Sequence, residues 1–167
     1  MKLRSKLALV SALMAGLIGP ALAPVANAET VTGQATIVTA QTCGLNFVSG
    51  SPINYGSLSI GQVSNQQTLV IDNTGTAPGA LSVSGSSWTN TVGTTIMNVG
   101  ATQYATSPGQ AYGAAPNLPL TTTSASVGTI SPTTNLNVYW LLRADLVAGQ
   151  TGFTGSTTQT VTLTSAC

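Results

Sequence analysis

The chain is 167 residues long and carries four Lys or Arg, three Asp or Glu and no His. The absence of His excludes a Ser-His-Asp triad, a Cys-His pair and an imidazole base or metal ligand. Three acids are too few for a calcium site unless backbone carbonyls supplied most of the ligands, and no cofactor is expected.

The first 28 residues read as a signal peptide. Lys2, Arg4 and Lys6 form a basic start, "LALVSALMAGLIGPALAPVA" is the apolar stretch, and "ANA" at Ala26–Ala28 is a small-x-small cleavage site. Gly16, Gly19, Pro20 and Pro24 interrupt the apolar run and no stop-transfer charges follow, so no stable membrane span is expected after cleavage. The expected mature protein is one domain, residues 29–167, exported to the cell surface or beyond.

In that domain only Arg143 faces Glu29, Asp72 and Asp145, one positive charge against three negative, a net of −2. A single cation cannot neutralise nucleic-acid phosphates or hold an anionic lipid surface, so both partners are excluded. Polarity comes instead from 27 Thr and 15 Ser, beside 16 Gly. Abundant Thr, Val and Ile with almost no charge favours strands over disorder. A surface so poor in charge suits a protein that is not selected to stay apart from its neighbours.

Residues Thr30–Thr42, "TVTGQATIVTAQT", read as the first strand. Ala35, Ile37 and Thr39 lie on one side and Thr36, Val38 and Ala40 on the other, with neither face clearly wet. Cys43 follows and pairs with the only other cysteine, Cys167, in an oxidising compartment. Within one chain such a bridge stabilises by roughly 5 kcal/mol on the chain-entropy model; the alternative is a cross-link between two copies.

"GLNFVS" places Leu45 and Phe47 on one face, and Ile53, Tyr55, Leu58, Ile60 and Val63 mark short extended pieces between glycines. "QTLVID" runs into the turn "NTGTAPG", where Asn73 and Gly75 tolerate positive φ and Asp72 or Asn73 can accept a local backbone hydrogen bond. "ALSVSG" directs Leu81 and Val83 inward, and Trp88 follows. The pattern then weakens: Ile96 and Val99 fit a strand, but Ser107–Pro119 reads as a long loop and the foremost place for partner contacts. "LTTTSASVGTISP" resumes extended character. "NLNVYWLLRAD" and "GSTTQTVTLTSAC" alternate with period two and are the clearest strands. These runs define an all-β, two-sheet antiparallel β-sandwich, Ig-like or jelly-roll-like, of seven to nine strands.

Asp72 ends a strand and Asp145 follows Arg143, so both read as turn or surface residues; only a close, shielded Asp72–Asp145 pair would give glycosidase chemistry. Glycines occur singly in turns, never as a phosphate loop before a helix. No Asn-x-Ser/Thr sequon occurs. Trp88, Trp140, Tyr104 and Tyr112 are the aromatic groups on which a sugar or peptide could be bound, and core packing is the competing role for both tryptophans.

The segment Asn54–Trp88, with its Tyr-Gly, its "NTG" and its closing Trp, resembles secreted β-sandwich domains of archaeal and bacterial surface proteins. "VYWLLRADLVAGQTGFTGSTTQTVTLT" is similar to the closing hairpin of the same domains, although Arg143-Ala144-Asp145 stands where a Pro-containing turn often sits. The resemblance implies non-enzymatic, extracellular use. Some such domains are filament subunits in which the N-terminal strand of one copy completes the sheet of the next. Here Thr32, Ala35, Ile37, Val38 and Thr39 would be the donor residues, with pairing inside the same chain as the alternative. The expected function is structural, through self-assembly or a companion surface protein; the rival is a module that binds a glycan or a protein.

Overall fold

Val31 to Val38 alternate strictly between buried and exposed or half-exposed positions, and this strand lies inside a sheet, one place from its edge, in the computed structural model, which describes residues 30–41, 44–116, 123–150 and 155–167. The leader and Glu29 lie outside the described residues. Eleven strands follow in order: β1 Thr30–Gln41, β2 Leu45–Ser49, β3 Ile53–Ser59, β4 Gln67–Asn73, β5 Gly79–Gly85 and β6 Trp88–Asn90, then β7 Thr95–Met97, β8 Thr102–Ala105, β9 Ala125–Ile130, β10 Asn135–Leu142 and β11 Gly155–Ala166. A single 3-10 turn, Val99–Ala101, precedes β8.

One sheet runs β3-β1-β11-β5-β9, with β6 and β7 appended beside β11, and the other runs β2-β4-β10-β8. The all-β sandwich expected from period-two alternation is therefore the fold. Two details differ. Eleven strands replace seven to nine, because β6, β7 and β8 are three to four residues long and too short to carry a readable period. The sandwich is also not wholly antiparallel: β1 and β11 run parallel from Val31↔Gly155 to Gln41↔Thr164. Parallel neighbours need a long crossover, and here nearly the whole domain serves as that connection.

Between the sheets, Val31, Ala35, Ile53, Leu69, Ile71, Trp88, Val138, Trp140, Leu142, Val161 and Leu163 share one core. Trp88 is fully buried and meets Tyr55 edge-on at 5.8 Å between ring centroids. Its indole N–H donates to Thr102 Oγ1 at 2.9 Å, Thr102 donates to Gln159 Oε1 at 2.9 Å, and Gln159 Nε2 donates to the Ser86 carbonyl at 2.8 Å. This chain of bonds lets Gln159 point inward beside Val161 and Leu163 of β11. Gly33 sits where β1 crosses the tryptophan: a Cβ there would fall 2.7 Å from Leu142 Cδ2 and 3.2 Å from the Trp88 ring.

The stretch from Gln67 to Gly75 is a strand entering a turn. Asn73, 1% exposed, accepts from the Gly75 amide at 2.8 Å and donates to the carbonyls of Ala77 at 2.8 Å and Ile130 at 3.1 Å. It closes the turn locally and also ties β4 of one sheet to the end of β9 in the other.

With no His, no side chain has an ordinary titration point near neutrality, and the first pH-dependent loss of stability above neutrality comes from tyrosine. Burial pushes the Tyr55 phenol well above its usual value of 10. The folded state therefore keeps a proton that the unfolded state loses. That contribution is whole below about pH 10 and declines by about 1.4 kcal/mol per pH unit above it. Tyr55→Phe should remove this component of the alkaline slope without losing a hydrogen bond, since the hydroxyl has no partner among the described residues. Urea midpoints measured from about pH 9 to 12 test it.

Candidate functional site

Two regions hold the residues that the sequence singles out. The first is β1. Val31, Gly33, Ala35 and Ile37 point into the sandwich, while Thr32, Gln34, Thr36 and Val38 form the outer row, Val38 being 39% exposed. The expectation of a strand with no committed face is thus corrected: the small and apolar row faces Trp88 and Leu142, and the Thr/Gln row faces out. Among the donor candidates, Ala35 and Ile37 fill the core and Thr32 and Val38 face outward, while the Thr39 side chain lies outside the described residues. Thr32 Oγ1 meets Ser57 Oγ at 3.1 Å, and Thr157 Oγ1 donates to the Thr32 carbonyl at 3.0 Å. Both flanks of β1 are paired within its own chain, to β3 and to β11.

β1 ends at Gln41 opposite Thr164, three residues before Cys167. Cys167 is disulfide-bonded, and Cys43, the other cysteine of the chain, lies outside the described residues.

The second region is a cleft of about 600 Å³ beside the 3-10 turn, lined by Asn98, Gly100, Gln103, Tyr112, Arg143 and Asp145 among others. It forms because the loop after β8 is fastened down. The Tyr112 hydroxyl lies 3.3 Å and 3.2 Å from the carbonyls of Gly100 and Ala101, to which it donates. The Gly113 amide donates to Gln103 Oε1 at 2.7 Å, and the Gly109 amide donates to Gln66 Oε1 at 3.1 Å. The long loop expected over Ser107–Pro119 is irregular through residue 116, and residues 117–119 fall outside the described part.

Arg143 leaves the end of β10, where its guanidinium pairs with Asp145 and lies 4.9 Å from the centre of the Tyr112 ring. The hydrogen bond that Arg143 donates to Asp145 raises the Arg143 pKa further. Burial raises the Tyr112 phenol; Arg143 partly offsets this and Asp145 adds to it. The cleft therefore holds one Arg–Asp ion pair beside an aromatic ring.

Of the four aromatic candidates only Tyr112 reaches a surface. Trp88 and Trp140 are 0% exposed and Tyr104 4%, so these three are core residues and form no exposed platform. Tyr104 and Trp140 pack on each other at 5.9 Å. Arg143, Asn98 and Gln103 were not among the sequence candidates. The only signal for Arg143 was its solitude as the sole cation after the leader.

Asp72 and Asp145 do not meet. Asp72 lies in register between Asn46 and Asn135 at one end of β4, and Gln67 at the other end pairs with Trp140. A strand rise of about 3.3 Å per residue puts those ends roughly 17 Å apart, and Asp145 follows the Trp140 end. Among the described residues no group of three His, Cys, Asp or Glu could hold a metal ion, and no helix is long and apolar enough to cross a membrane. No protein-family model matches the chain, and no curated protein matches it significantly.

Proposed function

We propose that this is a secreted, non-enzymatic structural protein of the cell surface that self-assembles by exchanging β1 between copies. The observation that carries the reading is the position of β1. It is the first described strand, lies between β3 and β11, and among the described residues is continuous with the rest of the sandwich through its Gln41 end. Its inward row of Val31, Gly33, Ala35 and Ile37 is a removable side of the core, and withdrawing it opens a groove floored by Trp88 and Leu142. A strand from a second copy offers the same main-chain bonds and the same side chains in the same register, so exchange conserves the interface while linking the copies. The scarcity of charge supports the reading, because β1 carries no Lys, Arg, Asp or Glu to repel an incoming strand.

Locking β1 in place tests this. Thr36 and Thr160 are register partners on the outer face, so Thr36→Cys with Thr160→Cys fastens β1 to β11 of the same chain. Wild type should form long polymers by electron microscopy, the locked protein should stay monomeric in size exclusion, and each single Cys variant should polymerise. A locked protein that polymerises as well as wild type, or a wild type that remains monomeric when concentrated, overturns the exchange.

A further inference from the structure

We propose that the cleft between the fastened loop and the end of β10 binds a neutral saccharide. The inference does not depend on strand exchange, since none of the cleft residues belongs to β1. Arg143, Asp145 and Asp72 are the only charged side chains among the described residues, and two of these three converge here. Among the described residues, this is the place where an ion pair, an aromatic ring and amide side chains line a single concavity.

The hydrogen-bonding groups determine the ligand class. Arg143 uses Nε for Asp145, leaving both terminal amino groups as planar donors beside the Tyr112 ring. Asp145 receives that bond on Oδ2, leaving Oδ1 as an acceptor. Asn98 is exposed at the cleft margin, and its amide makes no capping bond to the 3-10 turn it precedes. The free groups are thus donors and acceptors side by side with no net charge. Vicinal hydroxyls, each able to donate and accept, match that set. An anion gains from Arg143 only by approaching Asp145, and a nucleic acid meets one cation alone. The walls are held before any ligand arrives, because Tyr112 and Gln103 already fix the loop through backbone contacts, and a preformed site loses less entropy on binding.

The experiment is an amide chemical-shift titration of the secreted protein with cellotriose, maltotriose, mannotriose and chitotriose, and with trigalacturonic acid and inorganic phosphate as anionic probes. At least one neutral trisaccharide should give saturable shifts centred on Asn98, Tyr112 and Arg143, with Kd on the order of 1 mM. Asn98→Ala, which breaks no bond within the fold, should weaken binding about fivefold at unchanged Tm, and Arg143→Lys, which loses the planar fork, about tenfold. Any of three results overturns the proposal: no saturable shifts from any neutral sugar up to about 20 mM, variants that bind as wild type does, or an anionic probe that binds more tightly than every neutral one.

Discussion

Trp88→Ala should lower the free energy of unfolding by about 3–5 kcal/mol, the range for deleting a large buried aromatic. Trp88 is wholly buried, packs on Tyr55, and forms the floor against which Gly33 brings β1. Its removal leaves a cavity where the two sheets meet and takes the first donor from the Trp88–Thr102–Gln159–Ser86 chain. Set against a total stability of about 5–15 kcal/mol for an ordinary domain, the variant would be close to unfolding. Trp88→Phe separates the two contributions. It keeps most of the apolar contact but removes the bond that the Thr102 oxygen accepts, while that hydroxyl still donates to Gln159, and should cost about 1–3 kcal/mol. Urea unfolding followed by circular dichroism reads both. If the alanine variant loses less than about 1 kcal/mol, this tryptophan is not the centre of the packing.

Asn73→Ala should cost about 2–4 kcal/mol, a large effect for a turn residue, because the buried amide bonds on three sides and its partner at Ile130 is itself buried. The Gly75 amide loses its acceptor, and the carbonyls of Ala77 and Ile130 lose their donor. Asn73→Asp is the sharper variant. It retains an acceptor for Gly75 but sets an ionised carboxylate against two carbonyl oxygens, so it should be at least as destabilising at neutral pH. Protonating that carboxylate restores one donor. The aspartate variant, alone among these proteins, should therefore regain stability as the pH is lowered toward its raised folded pKa. Thermal melts at pH 7 and about pH 4 check the sign; an aspartate variant as stable as wild type at neutral pH would show that the donor side of Asn73 is dispensable.

These two positions also show how far the two halves of the molecule depend on each other. Trp88 links β6 of the larger sheet to Thr102 of β8 in the smaller one, and Asn73 links β4 of the smaller sheet to Ile130 of β9 in the larger. A polar bond crosses between the layers at each place. An apolar core alone holds two sheets together but allows them to slide, whereas a directional bond allows one alignment. Under the proposed strand exchange this would keep the groove in shape while β1 is replaced.

The sequence by itself determined the class of the fold, the clearest strands and the "NTG" turn. Those features follow from local rules: alternate residues of a strand point to opposite faces, and Asn with Gly favours a turn wherever it lies. It also showed the lack of His and the scarcity of charge, which need no coordinates. Tertiary structure decided which strands pair. Backbone hydrogen bonds carry no side-chain identity, so nothing in "ATIVTA" announces a parallel partner more than a hundred residues away at Gln159 and Thr160. It likewise placed Gln159 inward, since a buried amide is tolerated only where Thr102 and Ser86 come to meet it. The cleft belongs to the same category: Asn98, Tyr112 and Arg143 become neighbours only after two sheets and a fastened loop bring distant turns together.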